Sequence, residues 1–199
     1  IVRHILSIHE KKTKNREFCA MFCVSSVENL IQYYELFEKV QAEMAEEAKR
    51  NESYFQPISV RTIFSYATEE QDQQASIEET EAGMIAEEPV DAPNSVDESR
   101  KAKLDRYIAQ YNATYRSSYN TTDSFYEYYQ NLGKRVKFYN IKYKKDEQID
   151  LLLVVNMFLT GFDSKPLNTI YVDKNLKYHG LIQAFSRTNR VYKPSKPFG

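Results

Sequence analysis

Residues 149–190 read IDLLLVVNMFLTGFDSKPLNTIYVDKNLKYHGLIQAFSRTNR, and the order of elements in this stretch decides the fold. Ile149–Asn156 is an apolar run without polar alternation, which predicts a strand covered on both faces, as in a parallel α/β sheet. The turn Thr160-Gly161-Phe162-Asp163 follows and is expected at the carboxyl end of that strand, where open α/β sheets hold ligands. Leu167–Val172 predicts the next strand, and Tyr178 to about Ser186 a helix that delivers Arg187 and Arg190 three residues apart. Arginine keeps its charge and its flat donor fork in any setting. Two arginines beside a carboxylate turn therefore suit the γ-phosphate of a nucleoside triphosphate.

Working outward, Ile1 to about Arg16 has helical spacing, and Phe18–Val24 is a short apolar run fit for a buried strand. Ser25 and Glu28 form an S-x-x-E capping box for a helix carrying Leu30, Tyr34, Phe37, Val40 and Met44 on one side. Pro57 breaks the chain before a strand over Val60–Tyr66. The order strand, helix, strand predicts a right-handed crossover and a parallel sheet. Residues 67–99 hold eleven acidic residues and no Lys or Arg; they are expected to form a mobile acidic insertion. A helical insertion over 100–133 follows, capped by Ser99 or a neighbour and stopped at Gly133, and Val136–Ile141 is expected to return to a strand.

Composition excludes some classes. With 42% hydrophobic and 28% charged residues among 199, the chain reads as an ordinary soluble protein, and its net charge of −1 names no partner. No apolar run is long enough to span a bilayer. Cys19 and Cys23 are expected as reduced, buried thiols of a cytosolic protein, since a lone CxxxC without a second ligand pair is weak evidence for zinc. No metal site is expected from the histidines, and His179 is read as structural. Between Arg100 and Lys145 there are eleven basic and three acidic residues with nine tyrosines, a mixture suited to a nucleic-acid backbone. The plainer alternative is a tyrosine packing stripe (Tyr107, Tyr111, Tyr115) under solvated lysines.

Taken alone, TGFD is common loop chemistry and RxxR a common basic helix end. Together with Gln183, four residues before Arg187 on one helix face, they are more specific. TGFD followed by QAFSRTNR resembles motifs V and VI of superfamily 2 helicases and translocases, the last of form Q-x-x-x-R-x-x-R. The fuller wording from Asn156 to Tyr192 resembles the restriction (R, motor and endonuclease) subunit of type I restriction–modification enzymes. AMFCVSSVENLIQYYELF at 20–37 resembles the strand and helix that open the second motor lobe of that family.

The resemblance implies a RecA-like, mostly parallel sheet flanked by helices, spanning 1–199 as a second motor lobe. It implies Arg190 and Arg187 as arginine fingers, Gln183 against the same phosphate or its attacking water, and Asp163 on the ribose or bracing Arg187, with Gly161 giving close approach. Thr160, Ser25 and Ser26 are implied in DNA-phosphate contact, the serines by the exposed N–H groups of a helix start, against simple capping. It implies ATP with Mg²⁺, double-stranded DNA, a first motor lobe with a nuclease domain, modification and specificity subunits, and a bacterial or archaeal cytoplasm. No G-x-x-x-x-G-K-[ST] occurs, so the chain is expected to complete a nucleotide site and not to form one alone. An opening Ile1 without Met and a close at Pro197-Phe198-Gly199 lead to the expectation of a piece of a larger subunit, inactive by itself. The alternatives are a lobe of another superfamily 2 motor, such as a type III restriction subunit or remodeller, and a non-catalytic DNA- or partner-binding α/β module.

Overall fold

The computed structural model describes residues 1–66, 97–155, 162–174, 182, 185, 186 and 188–192. Most of the expected acidic insertion and most of the last expected helix lie outside these residues.

Four parallel strands form one sheet in the order β2-β3-β1-β4. They are β1 (Cys19–Val24), β2 (Val60–Thr62), β3 (Leu151–Val154) and β4 (Leu167–Asp173). The helices are α1 (Val2–Lys12), α2 (Val27–Arg50), α3 (Glu98–Tyr115) and α4 (Phe125–Lys137). The two strands without polar alternation are the central pair: every residue of β1 and β3 is buried, and Ala20 pairs with Leu151 through to Cys23 with Val154. This is the α/β, RecA-like architecture expected.

α2 lays Val27, Leu30, Tyr34, Phe37 and Val40 on the sheet, and Phe22 of β1 meets Phe37 and Tyr33 edge-on at 6.4 and 5.0 Å. Burying one such ring stabilises the lobe by roughly 1.5–3 kcal/mol. α3 and α4 add a tyrosine layer. Tyr107 and Tyr111 are fully buried, and Tyr111 meets Tyr115 at 4.4 Å and Tyr128 at 5.0 Å. These tyrosines form a packing stripe, not a nucleic-acid surface.

Two segments depart from expectation. Val136–Ile141 is not a strand. α4 runs through Gly133 to Lys137 because Phe125, Tyr128, Leu132 and Val136 continue one apolar face at helical spacing, all buried. The chain then turns, with Asn140 at a left-handed φ of 56°, and both sides of β3 are already paired by β1 and β2. The start of α2 also differs: its N-cap is Ser26, whose Oγ accepts from Asn29 N at 3.2 Å, while Glu28 pairs with Arg100. The S-x-x-E pattern is present in the sequence, but the second of its two candidate serines takes the cap. The cap of α3 falls on a neighbour of Ser99, as expected: the Asp97 carboxylate accepts from Ser99 N and Arg100 N.

Candidate functional site

Arg190 and Asp163, the two motif residues that are both described, come together. Arg190 Nε lies 3.5 Å from Asp163 Oδ1, and both side chains are about half exposed. The aspartate is positioned from its neighbours. Phe162 packs against the core, and buried Ser164 donates its Oγ proton to Val136 O at 3.0 Å. Pro166 O accepts from Cys19 N at 3.1 Å. Arg190 is placed by a tight turn, its N–H donating to Thr188 O at 2.9 Å, and by Tyr192, whose ring meets Phe18 at 6.3 Å.

These anchors put the pair beside the amino ends of β1 and β4, not at the carboxyl end of the central strand as expected for the TGFD turn. The reason is topological. β3 and β4 run parallel, so the connection leaving the carboxyl end of β3 must return to the amino end of β4, and Asp163 stands just before that end. Thr160, Gly161, Gln183 and Arg187 lie outside the described residues, so the expected bracing of Arg187 by Asp163 does too; Asp163 pairs with Arg190.

Ser25 and Ser26 lie at the opposite edge, just past the last residue of β1. Six residues of strand separate them from Phe18, a rise of about 20 Å. Their hydroxyls already have local partners: Ser25 Oγ accepts from Asn29 Nδ2 at 2.7 Å, and Ser26 caps the helix. Capping is therefore the role these contacts supply directly. At the same edge, Tyr33 donates a short hydrogen bond to Asp173 at the end of β4.

The basic region divides. On α3, Lys103 Nζ and Arg106 Nη2 reach Glu35 of α2 at 2.5 and 3.0 Å, and Arg100 pairs with Glu28. The Lys103 hydrogen bond, with further help from Arg106, holds the Glu35 carboxyl below its ordinary range. Arg135 is buried. Its guanidinium sits 4.0 Å from the Tyr115 ring centroid and 4.8 Å from that of Tyr143, and it donates to Glu147 O at 2.7 Å. What remains basic and exposed is Arg116 and the segment from Lys134 to Lys145.

A buried polar hub escaped the sequence reading. Asp150, at the start of β3, accepts from Ser59 N at 2.7 Å and Tyr139 Oη at 2.8 Å, with Arg16 Nη1 3.9 Å away. Its signal was a lone carboxylate directly before an all-apolar strand. His9 is fully buried with neither ring nitrogen hydrogen-bonded, and burial lowers its pKa to about 4. Cys19 and Cys23 are buried thiols outside any disulfide, as expected. Among the described residues no group of three or more His, Cys, Asp or Glu is arranged to hold a metal ion, and no helix is long and apolar enough to cross a membrane.

Comparison with known proteins adds a family. A model described as type I restriction enzyme subunit R domain 3 matches residues 16–199. The chain is 42% identical over its whole length to the type I restriction enzyme SauMRSORF196P endonuclease subunit of Staphylococcus aureus, and 43% identical to the SsaAORF53P endonuclease subunit of Staphylococcus saprophyticus. It spans 18% of the length of each. A putative type I restriction enzyme endonuclease subunit of Methanocaldococcus jannaschii, MjaVIIP, is 47% identical over 58 residues, 29% of this chain and 5% of that protein.

Proposed function

The chain belongs to the family of type I restriction enzyme subunit R, domain 3, and from that membership we propose that it acts as the second RecA-like lobe of an ATP-driven double-stranded DNA translocase. The observation that carries this reading is the Asp163–Arg190 pair. At 3.5 Å the contact is an ion pair longer than a good hydrogen bond, and both groups face solvent in part. A guanidinium so held keeps its orientation while its remaining N–H donors stay open to a phosphate oxygen. The residues present therefore fit a nucleotide bound against this edge.

In this reading the first lobe of the same subunit brings ATP and Mg²⁺, and this chain completes the site. Arg190 and Arg187 stabilise charge developing at the γ-phosphate, Gln183 orients the attacking water, and Asp163 with Gly161 meets the ribose side. Thr160, Ser25 and Ser26 contact the DNA backbone. The strand-length separation between Ser25 and Asp163 agrees with a nucleotide site and a serine contact to DNA at two different edges. Lobe closure on ATP then moves DNA, and the working assembly includes the nuclease domain and the modification and specificity subunits in the cytoplasm of a bacterium or archaeon.

The test is Arg190→Ala in the complete R subunit that contains this chain. Loss of an arginine finger costs about 10³–10⁵ in turnover in phosphoryl-transfer enzymes, so ATP hydrolysis and translocation should both collapse while the protein stays folded. Near-normal hydrolysis would refute the role.

A further inference from the structure

Residues 134–145 read KRVKFYNIKYKK, six cations with no acidic residue among twelve. Arg135 is buried, but Lys134, Lys137, Lys142, Lys144 and Lys145 are all exposed. None of the five makes an ion pair among the described residues, although α3, packed in the same layer, has three of its cations matched to α2 carboxylates. The helix dipole accounts for Lys134 and Lys137 in the last turn of α4. It does not account for the three lysines beyond the helix.

The segment is held firmly. Tyr139 donates to Asp150, Asn140 Nδ2 donates to Glu17 O at 2.8 Å, and Gln148 Nε2 donates to Tyr143 O at 3.0 Å. The charges are thus displayed on a fixed surface, offset only in part: Lys142 Nζ lies 4.5 Å from the Phe138 ring centroid, and Asp146 and Glu147 follow directly in the chain. Lys145 also lines an open groove of about 440 Å³ beside Arg61, whose Nε has no hydrogen-bond partner. Of the two carboxylates lining that groove, Asp150 is occupied by Ser59 and Tyr139, leaving Asp146 as the one opposing charge there.

We propose that this lysine surface is a second nucleic-acid contact, gripping the phosphate backbone of duplex DNA at the sheet edge opposite Ser25 and Ser26. The choice of duplex DNA rests on the translocase reading; the surface itself rests on the unmatched charge. Five lysines spread over a helix end and the following loop exceed what one triphosphate engages, so an extended polyanion is the fitting occupant.

The experiment measures binding of the whole chain to a fluorescent 20-base-pair duplex over a series of NaCl concentrations. Each lysine–phosphate contact contributes about 0.9 to the slope of log K against log salt, so K142A/K144A/K145A should flatten the slope by roughly 2 to 3, and K142R/K144R/K145R should restore it. Circular dichroism confirms that the variants fold. An unchanged slope in the alanine variant would overturn the proposal, as would binding of polyglutamate as tight as that of the duplex, or displacement of the duplex by micromolar ATP. A surviving slope in this variant alongside lost binding in S25A/S26A would end the lysine surface and leave the translocase reading intact.

Discussion

Asp163 holds Arg190 at 3.5 Å beside the amino end of the sheet, although the two residues arrive from different connections on either side of β4. The contact is half exposed, so its worth to the fold is small: exposed pairs contribute about 0–1 kcal/mol. Its value lies in aiming a guanidinium.

The first prediction follows from that asymmetry. Asp163→Asn and Arg190→Ala should each leave the thermal midpoint of the chain within a few degrees of wild type. In the complete subunit both should lower ATP turnover, Arg190→Ala the more. A large loss of stability with unaltered turnover would make the pair structural.

His9 gives a pH signature. Its folded pKa, lowered to about 4 from 6.5 chiefly by burial, means that the unfolded chain binds the proton first as pH falls. Stability from this group is therefore complete above pH 6.5 and declines through the window down to pH 4, by about 3 kcal/mol in all. Urea midpoints at pH 7 and pH 4.5 should differ less in His9→Leu than in wild type. Parallel pH profiles for the two proteins would dismiss His9 as the source.

The sheet was legible because β1 and β3 are unbroken apolar runs, and such runs have one use in a domain of this size, a strand covered on both faces. α2 was legible from the three- and four-residue spacing of Leu30, Tyr34, Phe37 and Val40. The misread segment, Val136–Ile141, carries β-forming residues, yet Val136 completes the buried face begun at Phe125, and packing overrode propensity. The site was half legible. Motif spacing singled out Asp163 and Arg190, but no spacing reveals that a return connection carries Asp163 to the far edge. Nor could charge counting separate Lys103, spent on Glu35, from Lys144, which is not.

Cys23 offers a chemical check on the core. Burial pushes its thiol up to about 12, so almost no thiolate exists at pH 8. Both cysteines should resist an aromatic disulfide reagent in the native chain and react fully in denaturant. Rapid native labelling would place β1 nearer the surface than the fold allows.

Arg135 yields the last expectation. It is a cation taken into the interior without a carboxylate, stabilised by the faces of Tyr115 and Tyr143 and by hydrogen bonds to Tyr111 Oη, Asn131 Oδ1 and Glu147 O. Planarity is what lets one group stack on rings and also reach acceptors in its plane. Arg135→Lys keeps the charge but loses the fork, leaving acceptors unmatched, and should destabilise the chain by roughly 2–3 kcal/mol in chemical unfolding. Arg135→Met, which removes both the charge and its desolvation cost while filling similar volume, should be no worse than lysine. If lysine proved neutral, the rings and carbonyls would be holding charge alone, and the directional account of this cage would fail.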